Sequence, residues 1–286
     1  MLNLRVYKIM NRTFMKTRQE KLEAFGRILD ILDELRVKCP WDREQTTQSL
    51  RPQTIEEVYE LSDAILKDDM KNISKELGDV LLHVLFYAKI GEEQNEYDIV
   101  DVINFLSDKL IYRHPHVFSS VEVADSAEVV KNWEMLKTKE KDGNRRILSG
   151  VPDTLPPLLK AYRMQDKARG VGFDWEEKSQ VWDKVKEEMN EYQAELDAIE
   201  AAESEEDRAA AFARAEVELG DYLFAVVNAA RLYGLNPDTA LERTCAKFKR
   251  RFTYLEEHTI RQGRNLKDMT LAEMDEIWDE AKAKGL

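Results

Sequence analysis

EEVYE (56–60) followed by ELGDVLLHV (76–84), and again EEMNE (187–191) followed by ELGDYLFAV (218–226), decide how this 286-residue chain folds. On a helix the first and last Glu of EExxE stand at i and i+4, and the second Glu lies three residues before the last. All three therefore share a rim. In ExxD the two acids stand at i and i+3, again on one face. Each ExxD abuts the most apolar run of its half, which in the first half is Leu77, Val80, Leu81, Val84, Leu85 and Phe86. That is a poor place for idle charge. Pairing such helices gathers five carboxylates: Glu187, Glu188, Glu191, Glu218 and Asp221 in the later copy, and Glu56, Glu57, Glu60, Glu76 and Asp79 in the earlier one. Like charges this close push protons back on unless a cation relieves them. A hard divalent ion does so through oxygen ligands. Mg²⁺, or Mn²⁺ in its place, also bridges to substrate phosphates. Gly78 and Gly220, each just before the Asp, lower helix propensity and point to close approach by a neighbouring helix or a ligand.

Outward from these motifs, apolar residues keep a helical period. Leu22, Phe25, Ile28, Leu32 and Leu35 recur between residues 16 and 37. CPWDREQT (39–46) reads as a loop, and Pro52 and Thr54 open the next helix. Further helices are expected over 74–90, over 98–113 (ending before Pro115), and around Val129, Val130, Trp133 and Leu136. Residues 138–156 lose the period and hold Gly143, Gly150, Pro152 and Pro156. Residues 194–214 are rich in Ala and Glu and read as a solvated extension of two helices joined near Ser204.

The halves repeat each other. Pro40-Trp41-Asp42 matches Gly172-Phe173-Asp174, EEVYE matches EEMNE, and the two ELGD runs match. Lys109 and Arg113 match Lys247 and Arg251, and Trp133 and Lys137 match Trp278 and Lys282. The spacing between counterparts changes only between elements, most of all across the Ala/Glu-rich stretch, as loop-length differences require. The expectation is an all-α chain of tandem helical bundles: residues 1–140, a linker at 141–156, and 157–286.

Composition narrows the function classes. The chain has 43 basic and 56 acidic residues, for a net charge of −13, which disfavours nucleic-acid binding. Cys39 and Cys245 lack zinc spacing and fit a reducing cytoplasm. No apolar run is long enough to span a membrane. The basic start is interrupted by Arg5, Lys8 and Arg12, does not read as a signal peptide, and is expected to be loosely ordered over its first dozen residues. A di-iron carboxylate bundle needs Glu-x-x-His pairs, and none of the four His has Glu three residues before it. His83, one turn after Asp79, reads as a packed or hydrogen-bonded residue, since its counterpart is Ala225.

Lys184 lies one turn before EEMNE and shares its face. Lys247 and Arg251 stand at i and i+4, and Trp278 and Lys282 form the last such pair. These are either surface ion pairs and core aromatic packing, or phosphate clamps and a base-stacking surface. At the position of Lys184 the first half has Gln53, which places catalysis in the second copy.

CPWDREQT, EEVYE with ELGDVLLHV, RHPHVF (113–118), VGFDW (171–175), EEMNE and ELGDYLFAV together resemble the MazG-type nucleoside triphosphate pyrophosphohydrolases of the full-length, two-domain type, over roughly residues 20–284. The resemblance implies an all-α fold related to dimeric dUTPases, an obligate homodimer, and Mg²⁺-dependent hydrolysis of NTPs and dNTPs to the monophosphate and pyrophosphate. It makes the EExxE and ExxD acids metal ligands. It makes Lys184, Lys247, Arg251, Trp278 and Lys282 substrate contacts. The residues themselves leave open a non-catalytic nucleotide-sensing scaffold and a narrower dUTPase-like or phosphoribosyl-ATP pyrophosphohydrolase. No GxxxxGK[ST] loop is present, which excludes ordinary P-loop architecture.

Overall fold

Side-chain caps start six of the helices. Thr17, Thr46, Asp69, Ser204, Asn236 and Thr270 each accept a hydrogen bond from the backbone N–H three residues on. Each such cap contributes about 1 kcal/mol and fixes where the chain turns into the helix. The computed structural model describes residues 16–125, 128, 129, 132, 133, 136 and 146–286. Among the described residues it contains helices and no strand. The start, expected to be loosely ordered, Val130, Lys137 and the first part of the expected linker lie outside the described residues. The chain divides into two compact units, Met1–Tyr112 and Arg113–Leu286.

The first unit is built from α1 (Arg18–Lys38), α2 (Pro40–Glu44), α3 (Thr47–Leu66), α4 (Met70–Glu93) and α5 (Ile99–Arg113, whose last residue falls in the second unit). Its core is Leu32, Leu50, Leu85, Phe86 and Ile90, with Phe25, Ile28 and Leu29 of α1 packed against it. Helices α3 and α4 pair extensively. Asp68, in the left-handed region at φ 52, turns one into the other. Arg36 binds this frame together. Its Nε donates to Glu93 at 2.9 Å, and its guanidinium also donates to the carbonyls of Asp42 and Gln45.

Two local expectations change. The segment expected as a loop at 39–46 holds a helical turn, α2, because Pro40 sits at its first position, where the fixed φ suits a helix and the missing N–H is not needed. The next helix begins at Thr47 rather than at Pro52. Reciprocal hydrogen bonds between Thr46 and Ser49 start it, and Pro52 is carried inside.

The second unit contains α6 (Pro115–Phe118), α7 (Pro157–Arg169), α8 (Val181–Glu200), α9 (Glu205–Leu232), α10 (Pro237–Arg261) and α11 (Leu271–Ala283). Helices α8 and α9 make the most extensive pairing among the described residues. They meet at Val181, Val185, Ala225 and Ala229. The Ala-rich stretch is not simply solvated. Ala211 and Ala215, one turn apart, are buried, and Arg214 ties α9 to Glu195 of α8 at 2.9 Å. Small side chains let the helices close up where large ones are missing. A second cluster, Leu255, Met269 and Ile277, joins α10 to α11.

Arg231 at the end of α9 is buried and meets Asp174 through Nη1 at 3.0 Å and through Nη2, and it also donates to Asn228. Asp174→Ala strands this guanidinium, and about 3 kcal/mol of stability is expected to go with it, read from chemical denaturation of the two chains. At the start of α11, Glu273 accepts from the Thr270 backbone N–H, from Arg264 at 2.7 Å and from the Thr270 hydroxyl, which together lower its carboxyl to about 2. A depressed carboxylate stabilises the fold above the unfolded pKa near 4.5 and loses that contribution as pH falls toward 2. Glu273→Gln is therefore expected to lower Tm at pH 7, with the gap to the wild type closing by pH 2.

Candidate functional site

The pairing of α3 with α4 sets the EExxE face of one helix beside the ExxD face of the other. One carboxylate oxygen each of Glu57, Glu76 and Asp79 lie within 4.8 Å of one another. In the second unit the pairing of α8 with α9 does the same for Glu188, Glu218 and Asp221. The middle Glu of each EExxE and both acids of each ELGD thus converge. Glu56 and Glu60 of the first motif, and Glu187 and Glu191 of the second, are exposed around the rim of their centres.

The electrostatics follow from this crowding. Glu57 is held above the ordinary carboxylate range, first by desolvation and then by Asp79, Glu60, Glu76 and Glu56. Glu191 is raised by desolvation and by Glu188, Glu218 and Glu187. Glu76 is buried. Its Oε1 accepts from Lys75 at 3.1 Å, while Oε2 is buried with no hydrogen-bond partner. In the second centre the buried acid is Glu188, and Lys184 Nζ lies 2.7 Å from its Oε1 and 2.9 Å from Glu187 Oε1. The hydrogen bonds to Glu188 and Glu187 hold Lys184 far above its usual pKa. Crowded oxygens with raised carboxyls and one unpartnered buried oxygen are the donor set a hard divalent cation requires, so these residues fit such an ion.

An open cleft of about 650 Å³ runs along α3 and the start of α4, lined by Glu56, Tyr59, Glu60, Asp63, Lys67, Asn72 and Glu76. That size lies in the range of small-molecule sites.

Of the expected cationic and aromatic contacts, the structure brings Lys184 to the acids. Arg251, Trp278 and Lys282 are placed on α10 and α11. Arg251 lies over the Trp278 ring at 5.9 Å and its Nε donates to the Leu286 carbonyl at 2.7 Å. Trp278 packs on Phe248, Lys282 pairs with Asp279, and Lys247 is exposed. Among the described residues none of these three cations forms an ion pair with the acids of α8 and α9. His83 is buried, with Nδ1 3.0 Å from the Thr54 hydroxyl, which in turn meets the Tyr87 hydroxyl at 2.5 Å. It is a hydrogen-bonded core residue. The expected close approach at the ELGD glycines is not made by the chain itself, since a Cβ at Gly78 or Gly220 would meet open space. Sequence reasoning missed Lys75, which lies 3.7 Å from Asp79 as well as against Glu76. Its spacing to Asp79, i to i+4, carried the signal.

The MazG nucleotide pyrophosphohydrolase domain matches residues 45–118, which include all five acids of the first centre. Over its length the chain is 38% identical to the nucleoside triphosphate pyrophosphohydrolase of Escherichia coli (strain K12), across 91% of this chain and 98% of that protein. It is also 38% identical to the nucleoside triphosphate pyrophosphohydrolase/pyrophosphatase MazG of Thermotoga maritima, across 90% of this chain and 95% of that protein. An uncharacterised Bacillus subtilis protein, YabN, is 46% identical across 93% of this chain, which spans 53% of that longer relative. With its all-helical fold, its paired acid centres and full-length identity of this order, the chain belongs to the MazG nucleotide pyrophosphohydrolase family.

Proposed function

We propose that the chain hydrolyses nucleoside and deoxynucleoside triphosphates to the monophosphate and pyrophosphate, using Mg²⁺ held by Glu187, Glu188, Glu191, Glu218 and Asp221. The supporting observation is the convergence of Glu188, Glu218 and Asp221 beside Lys184, in a chain similar to pyrophosphohydrolases along nearly all of its length. When bound, Mg²⁺ neutralises the acids and the triphosphate together and polarises the phosphoryl group. Glu191, exposed at the rim beside Glu188 and Glu218, has a carboxylate oxygen free to take the proton from the attacking water. Lys184 shifts its Nζ from Glu187 to the phosphates and offsets charge on the departing pyrophosphate. The base end of the substrate is assigned to the half-buried Trp278 ring, which Arg251 overlies, with Lys282 one turn on along α11 as a further phosphate contact.

The tandem-domain reading, residues 1–140 and 157–286 around a linker, rests on the two equivalent acid centres. A second copy of the chain is the occupant we assign to the exposed apolar side chains around them, Leu77, Leu81 and Val84 on α4 and Leu223 and Phe224 on α9. The open space over Gly78 and Gly220 leaves room for it. The acidic charge and the absence, among the described residues, of a helix long and apolar enough to cross a membrane support a cytoplasmic enzyme that engages neither nucleic acid nor bilayer.

Incubated with Mg²⁺ and a panel of triphosphates, the chain is expected to release pyrophosphate and monophosphate, and to stop when EDTA is added. Asp221→Ala and Glu188→Ala are expected to slow it roughly tenfold or more. Wild-type rates from both would place the chemistry elsewhere. Nucleotide binding without pyrophosphate would favour the sensing scaffold, and turnover of one substrate alone a dUTPase-like or phosphoribosyl-ATP enzyme. Sedimentation of the full chain is expected at twice its 33.3 kDa mass. Sedimentation at the monomer mass would remove the second-copy assignment.

A further inference from the structure

The charge of this chain is unevenly placed. Residues 1–19 hold five cations, Arg5, Lys8, Arg12, Lys16 and Arg18, and no acid, in a chain of net charge −13. The open cleft along α3 has the opposite balance. Four acids line it, Glu56, Glu60, Asp63 and Glu76, against one lysine, Lys67, which pairs with Asp63. Glu76 is only 5% exposed, and its Oε2 has no hydrogen-bond partner. A buried carboxylate oxygen left unpaired calls for a cationic donor.

Helix α1 carries the basic stretch toward this cleft. Asp33 of α1 pairs with Lys89 of α4 at 2.7 Å, and Arg36, one turn on, pairs with Glu93. The two helices therefore run parallel. Counted back equally from the Asp33–Lys89 pair, Arg18 at the start of α1 comes level with Ser74 near the start of α4, between Asn72 and Glu76 of the cleft. Residues 1–15 precede that point, outside the described residues, and a segment of this length reaches up to about 50 Å when extended. From this placement we propose that the chain's own basic segment, residues 1–15, docks in the α3 cleft, with Arg5, Lys8 and Arg12 against Glu56, Glu60 and Asp63 and one guanidinium on Glu76 Oε2. Arginine offers a carboxylate two parallel N–H donors, and lysine a mobile point charge. The exposed Asp63–Lys67 pair holds weakly enough to yield to it. Exposed Tyr59 gives the apolar side chains of the segment, Leu2, Leu4 and Val6, a ring to pack on. The tether to α1 supplies the segment at an effective concentration on the order of millimolar, which favours it over a free polycation or the segment of a second copy. On the reading of function above, the docked segment keeps triphosphate from the first centre. The docking itself does not depend on that reading.

A carbodiimide joins amines to carboxylates in contact. In the full-length chain Lys8 is expected to become linked to Glu56, Glu60 or Asp63, and, when isotope-labelled and unlabelled chains are mixed, within a single chain as read by mass spectrometry. Links from Lys8 that only join two chains, links only to acids outside the cleft, or no link at all overturn the proposal. Arg5→Gln/Lys8→Gln/Arg12→Gln alters the segment and leaves the helices untouched. In this variant the cleft acids Glu56, Glu60 and Asp63 are expected to take up glycine ethyl ester about threefold faster than in the wild type, the scale of exposed ion pairs, while Glu203 and Glu206 of the second unit react at an unchanged rate. Equal rates at the cleft acids overturn the proposal. Salt at about 1 M, where screening acts over about 3 Å, is expected to bring the wild type up to the variant's rate. Protection that survives such salt overturns its electrostatic basis. None of these readouts uses turnover, so they succeed or fail apart from the proposed function.

Discussion

Mutual repulsion among carboxylates held on paired helices is the constraint around which this chain is arranged. At an effective dielectric of about 20, two unit charges about 5 Å apart repel by about 3 kcal/mol, comparable to the gain from burying one large apolar side chain. Each centre places three such oxygens within 4.8 Å. The helix pair beneath must therefore be held by something else. In the first unit this is Leu50 and Leu85 in the core, with Arg36 fastening the end of α1 to α2 and α4. In the second it is Val181 and Val185 against Ala225 and Ala229, with Arg231 fastening Asp174 to the end of α9. Both units put a buried or nearly buried arginine where the aromatic-Asp motif meets the bundle, although it comes from α1 in one and α9 in the other.

A buried glutamate in such a cluster needs a cationic partner when no metal is present, and two local solutions are realised. Lys184 lies one turn ahead of Glu188, the spacing that helix geometry makes obvious. Lys75 is adjacent to Glu76, and adjacent residues point about 100° apart on a helix. Reasoning that starts from the face of Glu76 therefore passes over it, although its i to i+4 spacing puts it on the face of Asp79. The long methylene stem overcomes that angle and returns the ammonium to the acids. This is why the sequence showed a cation beside the second centre and none beside the first, where Lys75 supplies one. The comparison of Lys184 with Gln53 was correct position by position, but it looked for the cation on only one of the two helices.

Much else was legible for physical reasons. The i, i+3 and i, i+4 spacings of the acids and the apolar period each report a local geometry that no tertiary contact had to override. The join at Ser204 is one instance, where the serine caps α9 as its position suggested. What was not legible depended on partners outside the motifs, one of them close by and the others distant in the chain. Pro52 reads as a helix start until Thr46 and Ser49 cap each other six residues earlier. Ala211 and Ala215 read as surface filler until α8 closes on them. The surroundings of Trp278 also came only with the fold, because Phe248 and Arg251 reach it from α10.

The treatment of His83 bears on which ions the centres suit. One turn after Asp79, it is the imidazole closest in sequence to the acids of either centre, and nitrogen ligation would shift preference toward softer transition metals. Thr54 takes its Nδ1, Tyr87 shares the same hydroxyl, and desolvation lowers its pKa and keeps the ring neutral in the core. In the second unit the equivalent position is Ala225, buried between α8 and α9, which has no ligand to give. The donor set that both centres share is therefore carboxylate oxygen alone. Oxygen-only sites favour hard ions that retain water and accept phosphate oxygens as further ligands. The same helix pairing that imposes the repulsion thus also selects the chemistry that relieves it, a divalent ion arriving with a polyphosphate.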